Sequence, residues 1–474
     1  MQVLFYIKLS AVINENESFV VPHFLPYFGH LFQYMRDPLK FLLSCRQRYG
    51  STFTLKVMGQ RTTFVMDPRN WNAIIKNSNL SFPGTELATR AFGITPDALG
   101  HDEIDVQMRK DYPKGLQNDS LKELIAHFVQ NIREEMIKDK QELKNTIKTC
   151  GLLDLCHLMI FVPSIRTIYG EIDVHSYEKS FEKFNSNIQL LFINVPSFIK
   201  STFFQKTLNA RDYLIQQLSN IEHVQNQSRM TKMRTDLMKM YPQYFSSSDI
   251  GGNHLAFLWA SVGNTIPAAF WTLFHILRDC RALEQLQEEV RENLPVLKLD
   301  ENIEFDENSW TVEKLAKCVL LESAVNETLR MYGAPMMLRT CSSNTQIQTY
   351  DGKTLSIRKN DRISLFPAAS HYDERLFHEP FIYKFDRFLN NTIINNLELD
   401  RQKVPIAYMP FGTGKTMCPG KYFAKNEIKI CLALIFQQIE YKFIDETTPK
   451  TRADRVGFGV APPSKDVQIQ YWYQ

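Results

Sequence analysis

Most of the chain carries apolar residues at helical spacing, and only short stretches alternate. In residues 36–49, Leu39, Leu42, Leu43 and Cys45 recur as the apolar face of an amphipathic helix. Residues 120–240 keep that period with charged opposite faces, and residues 316–331 and 421–436 add two more helical runs. Period-two alternation marks residues 50–57 and 61–66, which flank Met58-Gly59-Gln60 and predict a hairpin. Asp67-Pro68 follows as a helix start that runs to Ile75. Residues 345–349 and 355–357 predict strands about a turn at 350–353, and residues 467–471 predict a last strand. The pattern as a whole predicts a mainly α protein with small β regions.

Two stretches depart from ordinary amphipathicity. Residues 254–278 are apolar and long enough to suggest a membrane span, but their centre holds Gly263, Asn264, Thr265 and Pro267. Pro267 has no N–H for the Gly263 carbonyl, so a kink is expected there, beside two polar side chains. Taken alone this is the pattern of a kinked core helix. Residues 190–200 form an apolar run broken by Pro196, with Phe203 and Phe204 behind it. It is either a buried helix end or a surface that meets lipid or roofs a substrate channel.

A chain of 474 residues holds one large domain or two or three ordinary ones, and 44% hydrophobic residues with 33 Phe supply a large core. The balance of 55 Lys+Arg against 52 Asp+Glu argues against a nucleic-acid binder. Eight cysteines are scattered without a disulfide framework or a close metal-type pair. Seven of them read as reduced thiols, as in a cytosol-facing protein. Residues 1–13 are apolar but carry Gln2 and Lys8, and fall short of the ~20 residues a span requires. The expected organisation is a short apolar segment at 1–21, a membrane anchor if a shortened one, and a single domain at 22–474.

The candidate chemistry lies in residues 409–420, Met-Pro-Phe-Gly-Thr-Gly-Lys-Thr-Met-Cys-Pro-Gly. A buried thiolate needs donors around its charge, and backbone N–H groups supply them only where the chain wraps closely about the sulfur. Gly412, Gly414 and Gly420 permit such a path. The helix predicted from Lys421 turns its positive end toward Cys418. Phe411 is placed to shield the sulfur from water. This suits a cysteine thiolate on haem iron, and a plain glycine loop with a buried cysteine is the other reading.

The spacing of Phe411, Gly414, Cys418 and Gly420 resembles the haem-binding signature of the cytochrome P450 superfamily. The resemblance runs from Pro22 onward. It implies a mainly α cytochrome P450 fold with haem b between a long central kinked helix and the cysteine loop, and Cys418 as the iron ligand. It assigns Asn264 and Thr265 to organising water and protons, and Arg339 to a haem propionate. Glu327, Arg330 and Arg387 match the family's buried network behind the proximal loop. Thr416 stands where most members have Arg or His, and of the usual Trp-x-x-x-Arg pair only Arg109 is present.

Trp259-Ala260-Ser261, residues 264–267 and Phe270-Trp271 resemble the branch of cholesterol and oxysterol 7α-hydroxylases. Residues 268–271, 385–389 and 457–459 also resemble its sister branch of sterol 12α-hydroxylase and prostacyclin synthase. The implied activity is hydroxylation of a sterol, oxysterol or related lipid. It would use O2 and NADPH electrons from NADPH-cytochrome P450 reductase, on the endoplasmic reticulum membrane with the catalytic domain facing the cytosol. The alternative is a lipid-endoperoxide isomerase that needs no reductase; those relatives carry an apolar residue in place of Thr265. A haem sensor or carrier is a third class. Lys415, Lys421, Lys425 and Lys429 form either a docking patch for an acidic reductase domain or a solvated helix face.

Overall fold

The computed structural model describes residues 16–192, 202–333, 335–390, 392–445 and 447–474. Nine helices carry the site and its supports: α1 (Asp102–Leu116), α2 (Asp119–Leu143), α3 (Leu152–Tyr169), α4 (Val174–Phe192), α5 (Arg229–Lys239), α6 (Ser247–Val262), α7 (Thr265–Ile276), α8 (Val319–Tyr332) and α9 (Lys421–Gln438). Helix α7 is the centre of the largest core. It packs on α3, α8 and α9, and all its residues but His275 are buried. Trp271 lies parallel to Tyr332 with ring centroids 4.0 Å apart, and its indole N–H donates to the Ala461 carbonyl at 2.8 Å. Each large side chain buried this way contributes about 1.5–3 kcal/mol. Helix α3 is long and apolar enough to cross a membrane by length and composition, but 72% of it is buried in this core.

The expected continuous central helix is two helices. Helix α6 starts well before His254, because Ser246 and Asp249 make a capping box: the Ser246 hydroxyl takes the Asp249 N–H at 3.2 Å, and the Asp249 carboxylate takes the Ser246 N–H at 3.0 Å. The chain then breaks at Gly263-Asn264. Pro267 is the third residue of α7. Its missing N–H belongs to the first turn, where no intrahelical partner exists, so the proline opens a helix instead of kinking one. The predicted helix at 36–49 is likewise divided: Asp37 separates Leu31–Arg36 from Pro38–Tyr49 and caps the second piece through the Lys40 N–H at 3.0 Å.

The N-terminal sheet consists of β1 (Phe19–Val20), β2 (Thr52–Val57), β3 (Gln60–Val65), β4 (Leu80–Ser81), β5 (Met337–Cys341) and β6 (Arg362–Leu365), in the order β1-β2-β3-β6-β5-β4. Strands β2 and β3 form the predicted hairpin, with Thr52 opposite Val65. Strand β1 pairs parallel to β2, and Val20 and Val21 are buried, so the packed domain begins before Pro22. Antiparallel pairing of β5 with β6 sets Arg339 opposite Ile363. The last strand, Gln468–Tyr473, lies between Ile439–Phe443 and Lys148–Gly151. Of the apolar run at 190–200, the first residues end α4, where Leu191 is buried; residues 193–200 lie outside the described part. Phe203 beyond them is 75% exposed.

Candidate active site

The cysteine loop is closed by its own backbone. The Gly412 N–H donates to the Met409 carbonyl at 3.0 Å, the Met417 N–H to the Gly414 carbonyl at 3.1 Å, and the Cys418 N–H to the Phe411 carbonyl at 2.9 Å. Gly412 and Gly414 have φ of +70° and +60°, where a side chain is strained. A Cβ at Gly412 would stand 3.1 Å from the Thr416 carbonyl oxygen. Gly420 differs from expectation: its φ is −86°, and a Cβ there would meet no protein atom within 4 Å. Its contribution is its N–H, which turns to the Cys418 sulfur. Burial pushes the Cys418 thiol above its ordinary value, while that N–H and the Lys421 ammonium act the other way. A thiolate in this setting calls for a further positive centre on the sulfur, which a metal ion supplies.

Cys418 opens onto a cavity of about 1280 Å³. Asn264, Thr265 and Ala268 reach it from the break between α6 and α7; Met336, Met337 and Arg339 reach it from the start of β5. The Thr265 hydroxyl donates to the Ser261 carbonyl at 2.7 Å, which ties off one carbonyl at the break. The Asn264 side-chain oxygen accepts the Val460 N–H at 2.9 Å. A Cβ on Gly459 (φ +103°) would lie 2.1 Å from that oxygen, so only glycine lets the 457–460 loop approach so closely. Asn264 thus holds the helix break to the C-terminal loop as well as lining the cavity.

Arg339 is 6% exposed. Its guanidinium donates to the Leu338 carbonyl at 2.9 Å and to the Thr416 hydroxyl at 3.0 Å, and no described carboxylate lies within ion-pair distance. Two features the sequence presented separately meet here: the threonine that replaces a cation in the loop holds the arginine that reaches in from β5. A buried guanidinium without an acid, beside the cysteine loop, fits a group that brings its own carboxylates. Arg109 also lines the cavity, from α1.

Behind the loop, Glu327 and Arg330 on α8 are fully buried. Arg330 donates to both Glu327 oxygens at 2.8 and 2.9 Å, and Arg387 Nε donates to the same pair at 3.0 and 2.9 Å. Arg330 also donates to the His371 carbonyl at 2.6 Å. Burial lowers the His371 imidazole to about 3, with Arg330 acting the same way. The neutral ring donates from Nδ1 to the Arg330 carbonyl at 2.9 Å and accepts the Met409 N–H at 3.4 Å. The three residues named from sequence therefore meet in one network, and His371 extends it to the first residue of the cysteine loop.

A family profile described as Cytochrome P450 matches residues 20–469. The chain belongs to the cytochrome P450 family. Cytochrome P450 7B1 of Mus musculus is 29% identical over 470 residues, covering 97% of this chain and 91% of that protein. Cytochrome P450 7A1 of Oryctolagus cuniculus is 28% identical over 477 residues, with 95% and 92% covered. The 7-alpha-hydroxycholest-4-en-3-one 12-alpha-hydroxylase of Homo sapiens is 27% identical over 491 residues, with 98% and 95% covered. As a cytochrome P450 the chain is a haem-dependent monooxygenase that uses O2 and electrons from a redox partner. The donor set fits: Cys418 offers the thiolate, Arg339 a cation for a haem carboxylate, and the loop glycines the close backbone.

Two parts of the cytochrome P450 site were not legible in the sequence. Lys429 is 3% exposed, donating to the Leu315 carbonyl at 2.6 Å and to Glu322 at 3.3 Å. Lys425 pairs with the same Glu322. The helix face shared by these residues turns inward against α8, so the expected four-lysine patch reduces to Lys415 and Lys421. The other is Arg234 on α5, which lines the cavity with Asn253 of α6 and Tyr112 of α1. Only the packing of three separate helices brings them together, and nothing in their spacing announces it.

Proposed function

We propose that this cytochrome P450 hydroxylates a sterol, an oxysterol or a lipid of similar shape. The observation that carries this is one cavity joining Cys418, the Thr265 hydroxyl and a wall of Phe92, Phe192, Trp259 and Phe458. Phe192 stacks on Phe458 with centroids 5.5 Å apart, and Trp259 stands 6.0 Å from Phe192. Such a wall suits a broad, rigid apolar skeleton. The titles of two relatives, the cholesterol 7-alpha-monooxygenase of Cricetulus griseus and the human 12-alpha-hydroxylase, support the same class.

When bound, haem b supplies the activation of O2 and the insertion of one oxygen atom into a C–H bond. Cys418 would hold it through its sulfur, and Arg339, oriented by Thr416, would answer a propionate. Thr265 and Asn264 line the same cavity as Cys418. The Thr265 hydroxyl, now parked on Ser261, is the donor at the break that can pass a proton to a ligand in the cavity. Asn264 keeps that break in register with the 457–460 loop. Electrons from NADPH arrive through a reductase docked near Lys415 and Lys421. Exposed Phe24, Phe32 and Phe203 support a membrane-facing surface, in keeping with the endoplasmic reticulum.

The test is an optical titration of the purified ferric protein with sterols, oxysterols and a stable endoperoxide analogue. A saturable spin-state shift with a sterol, followed by hydroxylated product on adding reductase and NADPH, is the expected result. Silence with sterols and direct ligation by the endoperoxide analogue would overturn the hydroxylase in favour of an isomerase. Cys418→Ala is expected to lose the thiolate-type spectrum of the reduced carbon monoxide complex.

A further inference from the structure

The cavity carries a second buried guanidinium, and the protein leaves it unanswered. Arg234 is 7% exposed. Its Nη1 reaches the Tyr112 hydroxyl at 3.3 Å and the Met108 sulfur at 3.6 Å, and its Nη2 reaches the Asn253 carbonyl at 3.1 Å and side-chain oxygen at 3.2 Å. Its Nε has no partner at all. Every contact is with a neutral group, the Phe257 ring at 5.4 Å included, and among the described residues no carboxylate lies within ion-pair distance. The buried acids on the neighbouring helices, Asp111 and Asp249, are already used. Asp111 accepts from Gln107 and Lys114, and Asp249 accepts from the Ser246 cap and the Thr95 N–H.

Arg133 is one buried arginine that the protein satisfies without an acid, through three backbone carbonyls, of Lys298, Asp300 and Ile303, at 2.8, 2.5 and 2.7 Å. Arg234 has no such set, and unlike Arg133 it lines the cavity. Arginine cannot shed its proton to escape burial, so an unanswered guanidinium there is held for an anion. Asn253 precedes Val262, the last residue of α6, by about 13 Å at 1.5 Å per residue, and the cavity continues past the break to Asn264, a reach comparable with the length of a sterol.

We infer that Arg234, with Asn253 and Tyr112, binds an anionic oxygen group on the substrate, at the end remote from the carbon that is oxidised. The substrate class is then a sterol-type lipid bearing a sulfate ester or a carboxylate. This rests on the sterol reading above and narrows it. Arg234 acts as a specificity residue: a charged fork that recognises two oxygens in one plane.

Three probes test it on the haem-loaded protein by equilibrium dialysis and by optical shift: cholesterol, cholesterol 3-sulfate, and a cholestenoic acid with its carboxylate on the side chain. The expected result is that one of the two anions binds roughly tenfold or more tighter than cholesterol, with a margin that shrinks as salt rises. Which anion does so tells which end of the sterol meets Arg234. Arg234→Gln is expected to bring the ratio of anionic to neutral affinity close to one, and Arg234→Lys to restore part of it. If Arg234→Gln fails to fold, the wild-type ratio and its salt dependence decide. Cholesterol binding without preference for either anion overturns the inference and leaves the sterol reading standing, as does a preference that survives in Arg234→Gln. Binding of none of the three overturns both.

Discussion

Arg330 and Arg234 are both buried arginines, and they are treated in opposite ways. Arg330 lies 0% exposed against Glu327, which also takes Arg387, and its remaining donor goes to the His371 carbonyl. Arg234 finds only neutral partners and has one idle donor. The first arrangement answers every charge from within the chain, and its output is a fixed backbone: through His371 it places Met409 at the start of the cysteine loop. The second leaves a charge open on the cavity wall. A closed network is the mark of a support, and an open charge beside a cavity is the mark of a site. Arg339 belongs with the open kind, beside the cysteine loop.

Glu427 on α9 is the acidic counterpart. It is buried, accepts the Ser164 hydroxyl at 2.5 Å on one oxygen, and has no partner on the other. Unlike arginine it can neutralise itself, and burial raises its pKa to about 8, against the pull of Ser164. The protein therefore keeps an uncharged acid in its core.

The largest effect that would break the comparison is at the closed network. Glu327→Gln strands two guanidinium groups and is expected to destabilise the fold by ~3–5 kcal/mol, measured by denaturant unfolding. A loss under ~1 kcal/mol would mean the network is not the support described here. Next is Glu427. Its folded pKa lies above its unfolded one, so its contribution is present in full below about pH 4.5 and is lost as pH rises toward 8. Glu427→Gln lacks this loss. Its stability relative to the wild type is expected to rise by about 1.4 kcal/mol per pH unit across that window, read from unfolding curves at ~pH 5.5 and ~pH 7.5. Equal slopes for the two proteins would show that the acid is not protonated in the fold.

The smallest effect on stability is expected at Arg339. Arg339→Met removes an unanswered charge, so the haem-free protein should be unchanged or slightly more stable. Haem retention should fall roughly tenfold, the loss of one charge-assisted contact, measured by transfer of haem to an acceptor protein. A large drop in haem-free stability would move Arg339 to the support class.

The divide between what could be read along the chain and what could not follows the same line. The Glu327/Arg330 pair sits three residues apart on a helix, so its proximity follows from covalent spacing, and the loop of Phe411, Gly414 and Cys418 is a local backbone shape. The interruption of the central helix was misplaced for a local reason. Pro267 suggested a kink, whereas the Ser246–Asp249 box had already set an earlier start and Gly263-Asn264 set the break. The lysine face failed for a non-local one: period four put Lys421, Lys425 and Lys429 on one side of α9, but Glu322 of α8 decided which way that side turned.

Sequence by itself determined the mainly helical class, the hairpin, the cysteine loop with its two left-handed glycines, and the family. Each depends on contacts within a few residues or on a motif whose spacing is its geometry. Only the tertiary structure decided that Thr416 carries Arg339, that Asn264 is engaged by the 457–460 loop, and that Arg234 stands open on the cavity. Those facts join residues far apart in the chain. Whether a charge is answered depends on the sum of everything packed around it, and no local pattern contains that sum.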